Sequence, residues 1–299
     1  MRIGFVGLGL MGLPIARHLA VGGHRLFIAS GSRAPLDELS AIGAAIRESP
    51  REIAPHVEIF FSCRVTPEQS RETFLGADGV MASGVRDILC VDLATTDPET
   101  AVDLAARLAE RDIGFLDAPI SGGPDGARAK TLSVIVGGAP ENVDRAAPLL
   151  RLFGTRIFHM GPVGTGVAAK LCNNMISITT HALVAEAMVM GVKAGIDPGQ
   201  LYDVLRSSSA YSRTLERVVP SHFLNRNFEP GATVAQIMKD LQCALATARR
   251  LGVRTLLPAV ALQCFVEAAD RGLGRKDIAA VILPMEEIAG VEVGVAPKE

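Results

Sequence analysis

Apolar positions in the first half of the chain gather in short runs. Residues 3–6, 26–29, 57–61, 89–93 and 133–136 are dominated by apolar and β-branched side chains, the pattern of strands covered on both faces. Between the runs the spacing turns helical, as over 98–111 and 141–152. Gly22-Gly23, Ser30-Gly31-Ser32 and Gly76-Ala77-Asp78-Gly79 punctuate the series. Strand–helix alternation predicts an α/β fold: a doubly wound, mostly parallel Rossmann sheet with right-handed crossovers.

After residue 163 the texture changes. Residues 165–194 hold no proline and only two glycines, and Ala, Val, Met, Leu and Ile dominate. One helix over that stretch would be ~45 Å long at ~1.5 Å per residue, a spine joining two domains. Further helices are expected over 198–207, 234–251, 256–271 and 276–287, with Asp197-Pro198 as a cap and first-turn proline. No strand is expected here. The division is therefore a dinucleotide-binding domain over 1–163 and an all-α substrate and dimerisation domain over 164–299. Residues 291–299 are expected to be loose.

Composition narrows the classes. With 299 residues, 48% apolar and 21% charged, the chain supports a large core. A net charge of −2 gives no basic face for nucleic acid. No apolar run reaches the ~18 residues of a membrane span without charged interruptions. The chain enters a strand at residue 2, so no leader is expected. Five scattered cysteines suit reduced thiols and a cytoplasmic location. Neither they nor the six histidines have metal-ligand spacing, so no metal is expected.

The first strand runs into Gly7-Leu8-Gly9-Leu10-Met11-Gly12 and then a helix, the context a dinucleotide fingerprint requires. Gly7 permits a tight turn, Gly9 lets the backbone approach a pyrophosphate, and Gly12 lets helix and strand pack closely. Leu10 and Met11 complete the turn, and the anion would sit on the helix N-terminus. An NAD site usually places an acid ~20 residues on, at the end of the second strand. Here Ser30, Ser32 and Arg33 occupy that place, which suits a 2′-phosphate and favours NADP. NAD bound without an acidic anchor is the alternative.

On the long helix, Lys170 and Asn174 stand at i, i+4 and point the same way. A proton carrier beside an amide that can hold an oxygen suits carbonyl/alcohol redox chemistry. Lys170, Asn173, Asn174, Ser177 and His181 recur at three- and four-residue steps in an otherwise apolar helix. Such a stripe requires a wet or liganded face. The plain alternative is a lysine reaching to solvent and an amide bonding a backbone carbonyl.

Three further segments complete a set: Asp92-Leu93-Ala94-Thr95-Thr96-Asp97-Pro98, Asp117-Ala118-Pro119-Ile120-Ser121-Gly122-Gly123-Pro124, and Lys239-Asp240. With the fingerprint and the Lys170/Asn174 helix, the chain resembles the β-hydroxyacid dehydrogenase family over nearly its whole length. That family includes 3-hydroxyisobutyrate dehydrogenases, tartronate semialdehyde reductases and succinic semialdehyde reductases. The resemblance implies an NAD(P)-dependent oxidoreductase that passes hydride between nicotinamide and a small β-hydroxy acid or semialdehyde. It implies Lys170 as general acid/base at the interdomain seam and Asn174 on the substrate oxygen. Ser121, Gly122 and Gly123 would cradle the carboxylate, Thr95 would approach the nicotinamide ribose, and Lys239 would close over the cofactor with Asp240 orienting it. A homodimer or homotetramer is expected.

The chain departs from the family at Ala94, where a serine is usual, and at Ser30-Gly31-Ser32, where Asn-Arg-Thr is common. It departs again at Ala232, where a bulky aromatic is common, and this leaves room for a larger substrate. The alternatives are an imine (C=N) reductase, which usually replaces the lysine, and a non-catalytic dinucleotide-binding sensor, which has no use for it.

Overall fold

The five apolar runs form strands of one sheet in the computed structural model, which describes residues 1–294. The chain divides into two compact units, Met1–Leu171 and Cys172–Glu299. In the first unit, β1 (Arg2–Val6) leads into α1 (Gly12–Val21), β2 (Arg25–Ala29), α2 (Arg33–Ser40) and β3 (Ala45–Ile46). The chain continues through α3 (Pro50–Ile53), β4 (Ile59–Ser62), α4 (Pro67–Leu75), β5 (Leu89–Asp92) and α5 (Pro98–Ala109). It ends with β6 (Gly114–Asp117), β7 (Ile120–Ser121), α6 (Gly123–Ala129), β8 (Leu132–Gly137), α7 (Pro140–Leu150) and β9 (Gly154–Gly161).

The sheet order is β3-β2-β1-β4-β5-β6-β8-β7, with β9 pairing β8. Strands β1 to β6 run parallel, whereas β8 is antiparallel to β6 and β7. Crossovers go one way from β1 to β2 and return to the other side at β4. The order therefore reverses beside β1, where an open α/β sheet leaves a crevice at its strand ends. Ile3, Phe5, Ile28, Ile59, Phe61 and Val91 are buried beneath the helices, the interior that parallel pairing demands.

The short strands β3, β6 and β7 and the edge strand β9 were not expected. β9 reads poorly because Arg156, Phe158, His159 and Met160 face solvent, so burial does not force apolar residues there.

The long helix α8 (Thr165–Lys193) is continuous and ends one residue earlier than expected. The second unit then holds α9 (Pro198–Ser207), α10 (Arg213–Val218), α11 (Val234–Arg250), α12 (Leu257–Ala268) and α13 (Ile282–Ala289). Ile178, Ala185 and Met188 of α8 join its core with Phe223, Leu241, Phe265 and Ile282. No strand occurs in this unit among the described residues beyond an isolated bridge between Thr233 and Asp277. α10 was not expected; Ser212 caps it by accepting from the Leu215 N–H at 3.1 Å.

Three expectations for this half need correction. The expected helix over 276–287 divides into a tight turn, Ile278–Val281, and α13, whose third residue Pro284 suits a new first turn. Residues 291–294 are tethered: Val293 is buried and its N–H donates to Glu286 Oε1 at 2.7 Å. Residues 295–299 lie outside the described residues. By length and composition α8 is apolar enough to cross a membrane, contrary to the reading of its charged interruptions. A core helix meets the same criterion, and α8 buries Lys170, Asn174 and His181 along with its apolar residues.

Candidate active site

The fingerprint turn has the geometry its glycines demand. Gly7 takes φ +89°, and a Cβ there would lie 2.2 Å from the Cys63 carbonyl oxygen. A Cβ on Gly12 would lie 1.8 Å from the Gly7 oxygen, so helix and strand meet at van der Waals distance. Gly9 faces open space: a Cβ there would have nothing within 4 Å. α1 begins with no side-chain cap and no acid in its first turn. The Leu13 N–H donates to the Gly9 oxygen at 3.0 Å, and the positive dipole end, with no carboxylate beside it, favours an anion. These residues fit a dinucleotide pyrophosphate, and Leu10 and Met11 lie on the same turn.

At the end of β2, the Ser32 N–H donates to Ser30 Oγ at 3.2 Å. Arg33 opens α2 with its side chain 78% exposed, and its Nε donates to Asp37 Oδ1 at 2.8 Å. The nearest acid thus already pairs with the guanidinium one turn into the helix. The strand end itself presents hydroxyls and a cation.

Behind the neighbouring strand ends lie two acids whose placement the sequence did not reveal. Asp92 and Asp117 stand in register on β5 and β6 and are 2% and 1% exposed. Burial pushes the Asp92 carboxyl up to about 6, against the Ala94 N–H that donates to its Oδ1 at 3.3 Å, with Asp117 adding repulsion. Burial likewise pushes Asp117 up to about 6, against N–H groups at the start of α8. The Gly164 N–H donates to Asp117 Oδ1 and the Val167 N–H to Oδ2, both at 2.8 Å. The carboxylate therefore caps the long helix from a strand 47 residues upstream. The sequence signal was present, since each acid ends an apolar run and precedes a turn, but its helix partner lies far along the chain.

Asp117 is followed by the turn at Ser121, Gly122 and Gly123, all partly exposed. Gly122 and Gly123 take φ +139° and +67°, conformations that favour glycine. Thr95 is partly exposed beyond β5, beside the buried Ala94 and Thr96. Lys170 is 8% exposed on α8.

In the second unit, Asn174 is 7% exposed. Its Nδ2 donates to Asp240 Oδ2 at 2.8 Å, and its Oδ1 accepts from Asn173 Nδ2 at 3.1 Å. Lys239 Nζ lies 2.6 Å from Asp240 Oδ1. One carboxylate thus joins Asn174 to Lys239, and α11 is fixed in turn. Thr233 and Gln236 form a reciprocal capping box at its start. The buried Asp277 accepts from Gly231, Ala232 and Ala279 N–H groups at 2.9, 3.2 and 3.0 Å. Asp277 was not anticipated.

His181 departs from the expected wet stripe. It is 4% exposed, and its Nδ1 lies 2.8 Å from the Ser177 carbonyl oxygen, so the helix itself satisfies it. Burial lowers its pKa to about 4. Ser177 Oγ meets Thr214 Oγ1 at 3.4 Å, while Asn173 is exposed.

A glycine-rich turn at the strand ends of a Rossmann sheet, with a buried lysine on the helix that leads into an all-helical unit, fits a nicotinamide-dependent oxidoreductase. The chain belongs to the β-hydroxyacid dehydrogenase family. Residues 2–161 match the NAD-binding domain of 6-phosphogluconate dehydrogenase, and residues 164–285 the NAD-binding domain of NADP-dependent 3-hydroxyisobutyrate dehydrogenase. The 2-(hydroxymethyl)glutarate dehydrogenase of Eubacterium barkeri is 32% identical, over 98% of this chain and 97% of its own. The 3-hydroxyisobutyrate dehydrogenase of Pseudomonas aeruginosa is 37% identical, over 88% and 90%. A solved Mycobacterium tuberculosis 3-hydroxyisobutyrate dehydrogenase with L-serine superposes with TM-score 0.86 at 30% identity, covering 95% and 98%. Imine reductases such as that of Streptomyces aurantiacus share the fold alone, at 18% identity and TM-score 0.62 over 95% and 99%. The protein is an NAD(P)-dependent oxidoreductase of the hydroxyacid dehydrogenase type.

Proposed function

We propose that the protein interconverts a small β-hydroxy acid and its semialdehyde, with Lys170 as the general acid/base. The observation that carries this reading is the burial of Lys170 and Asn174, 8% and 7% exposed, four residues apart on one helix. A lysine held this way on a rigid element can exchange a proton with a bound oxygen. When bound, the nicotinamide accepts or supplies the hydride. In oxidation Lys170 takes the hydroxyl proton, and in reduction it returns one to the alkoxide oxygen. Asn174, its amide held by Asp240, orients that oxygen. Ser121, Gly122 and Gly123 hold the substrate carboxylate, with backbone N–H groups on the turn as donors.

Gly7, Gly9, Leu10, Met11 and Gly12 seat the pyrophosphate. Thr95 meets the nicotinamide ribose, and Lys239 reaches the cofactor from α11. Ser30, Ser32 and Arg33 favour NADP, since an exposed guanidinium at the strand end suits a 2′-phosphate. The small residue Ala232 leaves room for an acid longer than three carbons.

The protein acts as a homodimer or homotetramer. Ile176, Leu183 and Met190 stand 70%, 62% and 71% exposed at seven-residue steps along α8. An apolar stripe of this kind suits a second subunit. The five free cysteines suit the cytoplasm.

The test is NADPH oxidation with glyoxylate, succinic semialdehyde, tartronate semialdehyde and a cyclic imine. Turnover confined to the carboxylated aldehydes is expected. Turnover of the imine alone, or tight cofactor binding with no turnover, would contradict the proposal.

A further inference from the structure

We propose that Asp117 is a positioning residue for proton transfer: its carboxylate fixes the start of α8 and so sets where Lys170 stands. The inference rests on the role given to Lys170 above. Asp117 lies at the junction of two functional segments. It ends β6, and the carboxylate turn follows four residues later at Ser121. Its side chain grips the other segment, with Oδ1 and Oδ2 accepting from Gly164 and Val167 N–H groups at 2.8 Å each. Lys170 comes three residues after Val167, a rise of ~4.5 Å along the helix. A single 1%-exposed carboxylate therefore ties the helix start to the strand that delivers the turn.

The surrounding backbone leaves the helix start little freedom. A Cβ on Gly166 would lie 2.6 Å from the Gly137 nitrogen, 2.7 Å from the Ile135 oxygen and 2.8 Å from the Asp117 oxygen. A Cβ on Gly137 would lie 2.5 Å from Asp117 Oδ1 and 2.8 Å from the Gly166 nitrogen. The first turn of α8 is thus wedged against β6 and β8 backbone, with the carboxylate bonding across the contact. The negative charge also complements the positive end of a 29-residue helix. An N-cap normally comes from the residue just before its helix. Here it comes from a distant strand, so it fixes the helix relative to the sheet as well as closing its end.

Two substitutions test this by different routes. Asp117→Asn keeps the shape but places an amide N–H group against a backbone N–H. Gly166→Ala keeps every hydrogen-bonding group and presses the helix start outward. Each is expected to lower kcat with the fastest semialdehyde about tenfold to hundredfold, the loss for a charge-assisted hydrogen bond. The Kd for NADPH should stay within about twofold, because the fingerprint turn is untouched.

The discriminating measurement is a double-mutant cycle with Lys170→Ala. If Asp117 acts through Lys170, Asp117→Asn lowers the residual turnover of Lys170→Ala by less than about twofold. A purely structural role gives the same fold loss in both backgrounds, and that result overturns the inference. So does Asp117→Asn with unchanged kcat. Should Asp117→Asn fail to bind NADPH or fold, the cycle is run with Gly166→Ala, with the same criteria. Normal turnover by Lys170→Ala alone would instead sink the proposed function. A large loss there with an additive cycle sinks only the role of Asp117.

Discussion

Burial shifts two carboxyls in one unit and an imidazole in the other, and acid acts on these groups in opposite directions. The nucleotide-binding unit hides Asp92 and Asp117, both pushed up to about 6. The helical unit hides His181, lowered to about 4. In each case burial disfavours the charged form. A carboxyl that takes its proton near 6 when folded, and near 3.8 when unfolded, gains stability as pH falls across that window. An imidazole that takes its proton near 6.5 when unfolded, and near 4 when folded, loses stability as pH falls between those values. The contrast reflects what the groups do. The acids hold turns at strand ends, while the histidine closes a hydrogen bond inside its own helix. The units also differ in what holds their proposed functional residues: glycine backbone shapes the turn from Gly7 to Gly12 in the first, whereas side-chain bonds link Asn174 through Asp240 to Lys239 in the second.

The largest expected effect is at the backbone-built part. Gly12→Ala places a methyl 1.8 Å from the Gly7 oxygen. It should raise the Kd for NADPH more than about a hundredfold, roughly 3 kcal/mol, while the helical unit keeps its structure. An unchanged cofactor Kd in isothermal titration would break the comparison.

Next comes the pH contrast. Between pH 7 and 4.5, His181→Gln should remove an acid-side stability loss of about 2 kcal/mol, the part of a shift from 6.5 to about 4 that falls within this window. Asp92→Asn should remove an acid-side gain of similar size, from 3.8 to about 6. Urea unfolding of each variant at both pH values reads the sign directly. Two variants that change the pH dependence in the same direction would refute the contrast.

A smaller effect is expected at the side-chain network. Asp240→Ala leaves the Asn174 amide and Lys239 without their shared acceptor and should cost about 1–3 kcal/mol of stability. It should also lower kcat/KM by roughly tenfold. Thermal unfolding and initial rates check both, and a variant matching the parent in each would remove the network from the site.

The smallest effect concerns cofactor choice. Arg33→Ala should weaken NADPH about tenfold, by loss of one exposed charge-assisted contact, and leave NADH unchanged. Equal losses for the two cofactors would refute the phosphate contact.

Glycine motifs and long apolar runs were legible because each depends on its own neighbourhood in the chain. Gly12 is forced by the Gly7 oxygen a few residues back, whereas Gly7 is crowded by Cys63 far along the chain and was legible only through the spacing of the motif. The length of α8 followed from the lack of breakers between Thr165 and Lys193. What escaped depends on distant partners. Asp117 was visible as a motif residue, but nothing near it indicates that Gly164 and Val167 are its donors. Asp277 holds the Gly231 and Ala232 N–H groups from 46 and 45 residues away. β9 escaped because an edge strand with exposed side chains has no apolar alternation to read. His181 looked like part of a polar stripe because spacing cannot distinguish a wet face from a hydrogen bond made within the helix.

The central claim is that Lys170 moves the proton, and single-site replacement tests it most directly. Lys170→Ala should lower kcat by ~10²–10⁴, the range for losing a general acid/base, with the Kd for NADPH unchanged. Turnover close to that of the parent, at any pH between about 6 and 9, would contradict the account.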